Sequence, residues 1–106
     1  MLLKGCYIFK NGESYEGVVR GGKQGYGRYR YSNGNVYEGE WKDDVKSGKG
    51  LMSYPNGDSY EGSWQKGKKN GQGTYKYHNG TIYEGGFVGG RKQGQGLITF
   101  TNGTKV

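Results

Sequence analysis

Reactive residue types are nearly missing from this chain. It has one cysteine, Cys6, and one histidine, His78. A single cysteine excludes an intramolecular disulfide and a metal site built from several thiolates. With a single histidine, no histidine dyad, metal cluster or nucleophile–base pair can be assembled, so we expect no catalysis, no metal and no cofactor. His78 falls where other copies of a repeated turn carry other residues, and we interpret it as a surface turn residue.

Aliphatic residues and long hydrophobic runs are also scarce. Hydrophobic residues make up 30% of the 106 positions, which excludes a large aliphatic core. Met1-Leu2-Leu3 is followed at once by Lys4, so the sequence predicts neither a signal peptide nor a transmembrane segment, and we expect a cytoplasmic protein. The apolar material is aromatic instead, with 11 Tyr, 3 Phe and 2 Trp among 24 glycines. These rings are large enough to form a core.

Asn-Gly pairs recur at a nearly constant interval along the chain. The spacing is 22 residues once and 23 residues three times, and the asparagines are Asn11, Asn33, Asn56, Asn79 and Asn102. A fixed period of this size indicates a tandem array, in which each repeat is one supersecondary unit and stability comes from stacking neighbours.

Other positions keep the same phase. Tyr-Glu-Gly begins at Tyr15, Tyr37, Tyr60 and Tyr83, and two residues after each of its glycines comes Val19, Trp41, Trp64 or Phe87. The unit, approximately Gly-x-Tyr-x-Tyr-x-Asn-Gly-x-x-Tyr-Glu-Gly-x-Trp followed by a glycine-rich loop, resembles the MORN (membrane occupation and recognition nexus) repeat. The resemblance covers residues 4–106 as one array, with repeats at about 5–26, 27–49, 50–72 and 73–95 and a partial one at 96–106. The sequence departs from this pattern at Val19, where an aromatic residue is usual, at Met52, which replaces a tyrosine, and at Asp43-Asp44-Val45, which replaces a loop glycine.

The only proline, Pro55, selects the type of hairpin turn. Its fixed φ suits the second position of a type I turn, which makes Gly57 the left-handed residue of a three-residue loop with a glycine bulge. That loop pairs Met52 with Tyr60 and, in the equivalent copies, Tyr29 with Tyr37 and Tyr75 with Tyr83. Because side chains alternate with period two, the aromatic residues then share one face. We therefore predict an all-β protein: an elongated, twisted antiparallel meander of tandem β-hairpins, with about ten strands and a length of roughly 45–50 Å.

The predicted aromatic face is our candidate binding surface. Paired glycines such as Gly50 and Gly62 are expected to open slots in it, and Gly48 to leave room for a large ring. Tyr and Trp dominate interface hot spots, so the sequence predicts a groove for a helical or extended protein segment. The alternative is that packing within the sheet buries all the rings and leaves none for a partner. The candidate residues are Tyr15, Tyr29, Tyr37, Trp41, Tyr54, Tyr60, Trp64, Tyr75, Tyr83 and Phe87. On the other face, the recurrent glutamates are expected to pair with basic residues or loop amides.

Positive charge concentrates in the loops between repeats. The chain has a net charge of +7, and the excess of basic residues lies in these loops. We therefore expect the loops to form a basic edge, which either keeps the protein soluble or attracts anionic phospholipid. The candidates for lipid contact are Lys23, Lys46, Lys66, Lys68, Lys69, Arg91 and Lys92. We expect no nucleic-acid partner, because the aromatic residues should lie on a face and the charge on an edge.

The family resemblance implies two functions and a context. MORN arrays serve as non-enzymatic scaffolds in axonemal radial-spoke heads, cytoskeletal structures and junctional membrane tethers, and some have been assigned phospholipid binding. We therefore expect a protein-interaction scaffold, with a peripheral membrane module as the alternative, and the cytoskeleton, a cilium or a membrane surface as its context. The repeat also accompanies kinase and methyltransferase domains, but the chain contains no such domain. An open strand edge also allows edge-to-edge association of two copies.

Overall fold

The fold is a single antiparallel sheet. In the computed structural model, which describes residues 3–19 and 21–106, the chain forms nine strands and the described part contains no helix. The strands are β1 (Leu3–Ile8), β2 (Ser14–Val19), β3 (Lys23–Arg30), β4 (Val36–Lys42), β5 (Val45–Ser53), β6 (Ser59–Gln65), β7 (Lys68–Lys76), β8 (Ile82–Val88) and β9 (Arg91–Thr99). Their order in the sheet is their order in the sequence.

The molecule is elongated, with principal extents of 49 × 24 × 17 Å. This confirms the predicted all-β meander and its length. Nine strands form where about ten were expected, because the tail after Thr99 makes only an isolated bridge, between Thr99 and Lys105. The described residues contain no helix with the length and apolar character of a membrane span.

The Asn-Gly turns have the predicted three-residue geometry. Tyr54 donates its N–H to the carbonyl of Asp58 at 2.9 Å, and Gly57 donates to the carbonyl of Tyr54 at 3.0 Å. Gly57 has a φ of +93°, in the left-handed region that glycine tolerates. The side chain of Asn56 accepts the N–H of Asp58 at 2.9 Å, which closes the turn locally. The predicted register follows, with Met52 opposite Tyr60.

The loops between repeats are tighter than a glycine-rich loop suggests. Strands β4 and β5 are joined by Asp43 and Asp44 alone, with φ values of +48° and +70°. Two consecutive left-handed residues are typical of a type I′ hairpin turn, which Asp tolerates better than most side chains. Lys66-Gly67 and Gly89-Gly90 make the equivalent connections, also with positive φ. Each hairpin of this kind carries a register shift, for example between Gly39 and Trp41.

The core lies on one face of the sheet and consists almost entirely of aromatic rings. Its members are 0–6% exposed: Tyr15, Tyr37, Trp41, Met52, Tyr60, Trp64, Tyr83 and Phe87. The slot at Gly50 is filled by the ring of Tyr37, because a Cβ on Gly50 would collide with that ring and its hydroxyl. The expectation for Gly48 was wrong: a Cβ there would meet the carboxylate of Glu40 instead of an aromatic ring, and its φ is +64°.

Candidate functional site

The aromatic face is filled by contacts among its own rings. Trp64 lies between Tyr37 and Tyr60, at centroid distances of 5.2 and 5.3 Å and near-perpendicular angles. Its indole Nε1 donates to the carbonyl of Gly50 at 3.1 Å. Edge-to-face geometry of this kind is favourable, and the indole leaves no polar atom for a partner. Seven of the ten predicted groove residues are therefore core: Tyr15, Tyr37, Trp41, Tyr60, Trp64, Tyr83 and Phe87.

The other three predicted residues, Tyr29, Tyr54 and Tyr75, are half-buried and retain some accessible surface. Tyr75 stacks on Tyr54 at 6.0 Å and donates its hydroxyl to Asp58 at 2.9 Å. Tyr29 donates to Glu13 at 2.6 Å. Burial, and then this bond, raise the pKa of Tyr29 to about 12, while the same bond lowers the pKa of Glu13. A partner on this face would reach these rings and other half-buried ones, such as Tyr31 and Tyr77, more readily than the core rings.

The sequence analysis did not identify Glu13 and Asp58, whose carboxylates accept the hydroxyl hydrogen bonds of Tyr29 and Tyr75. Besides Tyr75, Asp58 accepts the backbone N–H of His78 at 2.7 Å, and its Oδ1 lies 3.0 Å from Nδ1 of His78. Asp58 thus joins its own hairpin to the turn of the next repeat. A signal was present in the sequence, because Glu13 and Asp58 occur where a tyrosine follows 16 or 17 residues later. Asn35 and Thr81 hold this position where Met52 and Ile98 follow.

One lysine per repeat lies over the aromatic core, at an interval of 23 residues. Nζ of Lys46 is 5.3 Å from the ring of Trp64, and that of Lys23 is 5.2 Å from Trp41. Lys46 also donates to the hydroxyl of Tyr31 at 2.9 Å, and burial, followed by repulsion from Lys69, lowers its pKa. Such cation–π contacts stabilise the packed face. The four lysines of this row are Lys23, Lys46, Lys69 and Lys92.

These positions correct the prediction of a uniform basic edge. Lys23, Lys46 and Lys69 are half-buried on the aromatic face, whereas Lys66, Lys68, Arg91 and Lys92 are exposed. Lys23 also pairs with Asp44 at 3.1 Å. The separation of charge and aromatics, on which we excluded nucleic acid, therefore does not hold at this row. Rings beneath the lysines such as Trp41 and Trp64 are buried and cannot stack with bases, whereas Tyr29, Tyr54 and Tyr75 are half-buried. The absence of a nucleic-acid partner stays a prediction. The predicted basic edge also includes Arg20, which lies outside the described residues.

A groove of 690 Å³ runs across the opposite face of the sheet. Its floor is the backbone of paired glycines, which include Gly39 opposite Gly50 and Gly62 opposite Gly73. The tyrosine rings cover these glycines from the aromatic side, so the floor is closed below and open above. Since neither glycine of a pair carries a side chain, a ligand can approach the main chain closely here.

One wall of the groove is a row of cross-strand neighbours that includes the recurrent glutamates. The row runs Glu38, Leu51, Glu61, Thr74 and Glu84. Among the described residues, Arg28 pairs with Glu38 at 3.2 Å, and neither Glu61 nor Glu84 takes part in an ion pair. The expected pairing of the glutamates with basic residues thus holds for Glu38 and does not extend to Glu61 or Glu84.

The other wall carries Tyr26, Lys49 and Gln72, one residue per repeat. Tyr26 is 64% exposed, whereas most of the other tyrosines are buried or half-buried. The ammonium of Lys49 donates to Ser63 at 3.2 Å, and its backbone N–H donates to Glu40 at 2.5 Å. The lining as a whole carries three carboxylates and one ammonium, although the chain is strongly basic.

Four successive matches to the MORN repeat cover residues 15–36, 37–59, 60–82 and 83–105, so the chain belongs to the MORN repeat family. Their limits begin at the Tyr-Glu-Gly tyrosines, about ten residues later in phase than the repeats drawn above. MORN repeats are generally non-catalytic modules for interaction with proteins or membranes. A comparison with curated proteins gives no match.

Proposed function

We propose that this chain is a non-enzymatic scaffold that binds a segment of a partner protein in the glycine-floored groove. The observation that supports this is the contrast between the two faces. The aromatic face is largely filled by its own rings and lysines, and two pockets of 210 and 170 Å³ beside Lys23 on that face are smaller than the groove. The groove on the opposite face has an exposed ring, Tyr26, and two carboxylates that lack partners among the described residues. The proposal also includes a cytoplasmic location, at cytoskeletal or ciliary structures or at a membrane surface.

The location of the proposed groove differs from the one that the sequence suggested. A partner on the aromatic side would have to displace packed rings, and the burial of each ring contributes several kcal/mol to the stability of the fold. On the glycine side, a partner meets backbone, Leu51 and polar side chains without any rearrangement. Binding to a surface that is already formed avoids the free-energy cost of opening the core.

A selection from a random peptide library tests this proposal. Peptides that bind the unmodified chain are measured again with Thr74→Trp, which fills the groove, and with Ser53→Trp. Ser53 is exposed on the same face in β5 and is not part of the groove, so Ser53→Trp is a matched control. We expect Thr74→Trp to abolish binding of most selected peptides and Ser53→Trp to leave it unchanged. Peptides that bind the Thr74→Trp variant as tightly as the unmodified chain, but bind the Tyr54→Ala variant more weakly, would place binding on the aromatic face and overturn the proposal.

The second candidate function is contact with anionic phospholipid. It is favoured by the exposure of Lys66, Lys68, Arg91 and Lys92 in and beside the loops between repeats. Each basic residue near a membrane surface contributes about 1 kcal/mol of attraction. A role of this kind is compatible with groove binding, because none of these four residues lines the groove.

Flotation with vesicles that contain phosphatidylserine, at physiological ionic strength, tests the second candidate. The chain is compared with Lys66→Glu/Lys68→Glu and with Lys10→Glu/Lys76→Glu, which makes the same charge change at exposed positions outside these loops. If the loops bind lipid, only the first variant loses flotation. Equal loss in both would show nonspecific attraction by the net charge, and no flotation of the native chain would exclude the function under these conditions.

A further inference from the structure

The spacing of carboxylates along the groove carries information about the shape of a partner. Glu38, Glu61 and Glu84 occupy equivalent positions on β4, β6 and β8, two strands apart. Adjacent strands lie about 4.8 Å apart, so successive glutamates repeat at about 9.6 Å along the groove. A segment that pairs with them in register must present basic side chains at the same interval.

Regular conformations differ in how closely they meet this interval. A polyproline II segment has three residues per turn and rises about 3.1 Å per residue, so every third side chain returns to one face after about 9.3 Å. An α-helix returns after seven residues, or about 10.5 Å. A β-strand returns after two residues, or about 6.7 Å. The polyproline II repeat is the nearest of the three.

The length of the groove is compatible with the same conformation. The lining extends from β3 to β8, which is about 24 Å at this strand spacing, and a polyproline II segment of about eight residues spans that distance.

We propose that the groove recognises an extended, proline-rich segment with arginine or lysine at every third position. This rests on the proposed function and names the class of partner. Glu61 and Glu84 accept two basic side chains three residues apart, and the exposed ring of Tyr26 offers a flat surface for proline at one end. Arginine is favoured because its guanidinium binds a carboxylate through two parallel hydrogen bonds. Glu38 contributes less, since Arg28 already pairs with it.

The direct test uses synthetic peptides as probes. A fluorescent peptide of four Arg-Pro-Pro units is titrated against the full chain and compared with a peptide of the same composition whose four arginines are consecutive. A third peptide is helical, with arginine at every seventh position. We expect the Arg-Pro-Pro peptide to bind about threefold to fivefold more tightly than the clustered one, the size expected for one or two exposed ion pairs placed in register. Equal affinity of the two, or tighter binding of the helical peptide, would overturn the proposal.

Variants of the chain locate the contact. Glu61→Gln and Glu84→Gln remove one charge each, and Glu16→Gln removes the equivalent charge of the first repeat, outside the groove lining. Glu61→Gln and Glu84→Gln should each weaken the Arg-Pro-Pro peptide about threefold, and Glu16→Gln should not. Arg28→Gln releases Glu38 and should strengthen binding. If all three glutamine variants lose affinity equally, the attraction is nonspecific and the register is refuted.

The two proposals fail in different ways. If library peptides depend on Thr74 but the Arg-Pro-Pro peptide does not bind, the groove is a binding site and the partner chemistry is wrong. If neither the library peptides nor the Arg-Pro-Pro peptide responds to Thr74→Trp, both proposals are overturned.

Discussion

The ring of Tyr37 lies against the main chain of Gly50, in the place that a side chain on Gly50 would occupy, and its hydroxyl donates to the carbonyl of Glu40 at 2.9 Å. Tyr60 over Gly73 and Tyr83 over Gly96 repeat the arrangement. This contact relates the two faces of the sheet. The same glycine that admits the tyrosine below leaves bare backbone above, where it forms the floor of the groove.

Replacement of Gly50 by alanine should strongly destabilise the sheet. The new Cβ would overlap the ring and hydroxyl of Tyr37, which is fully buried, so either the ring or β5 must move. Overpacking of this kind costs about 1–3 kcal/mol. Gly5→Ala is the matched control, because Gly5 holds the same position in β1 and its Cβ would come no closer than 3.3 Å, to the hydroxyl of Tyr7. Thermal unfolding of the two variants measures the difference, and equal melting temperatures would contradict the Tyr37–Gly50 packing.

Exchange of the aromatic residue at the end of the motif should change stability in a predictable direction. The indoles of Trp41 and Trp64 donate to the carbonyls of Gly27 and Gly50, both at 3.1 Å, whereas Phe87 has no donor for Gly73. Trp64→Phe should therefore lower the free energy of unfolding by about 0.5–1.5 kcal/mol, and Phe87→Trp should raise it by a similar amount. Denaturant titration of both variants checks this. A loss in both would show that ring size, and not the hydrogen bond, decides the preference.

Stability should fall in acid through Asp58. Burial acts to raise the pKa of this carboxyl, but the hydrogen bonds from His78, Tyr75 and Asn56 together outweigh it, and the net pKa is lowered. A carboxyl with a lower pKa in the folded state stabilises the fold above the pKa of the unfolded chain, about 3.9. This contribution is lost as the pH falls through the lower, folded pKa.

The comparison of Asp58→Asn with the native chain measures how much the ionised carboxylate of Asp58 contributes to stability. The variant should be less stable at neutral pH, and the difference in melting temperature should shrink between about pH 4 and pH 2. A difference that is constant over this range would mean that the ionisation of Asp58 does not stabilise the packing of Tyr75.

Most of the fold could be predicted because its determinants are local and repeated. Pro55 and Gly57 define one turn geometry, and the period carries that geometry and its register to every copy. The loops between repeats were harder to predict, because Asp43 and Asp44 adopt left-handed conformations that aspartate tolerates but does not require.

The surface was harder to predict than the sheet. Period-two alternation assigned the aromatics to one face but did not show whether that face was open, since this depends on how the rings of neighbouring repeats interlock. Nor did it show that lysines such as Lys46 would fold back over those rings. The groove appears only when the tyrosine rings are placed under the glycines, because its floor is backbone and has no residue type of its own.

The central claim is that a partner segment binds on the glycine side of the sheet. The most direct measurement is the chemical shift of side-chain methyl groups during titration with a peptide selected from the random library. Leu51 and Thr74 line the groove, whereas Met52 and Ile98 pack with the aromatic core on the opposite face. We predict that the methyl signals of Leu51 and Thr74 shift with added peptide while those of Met52 and Ile98 stay in place. Shifts confined to Met52 and Ile98 would place the partner on the aromatic face and contradict the account.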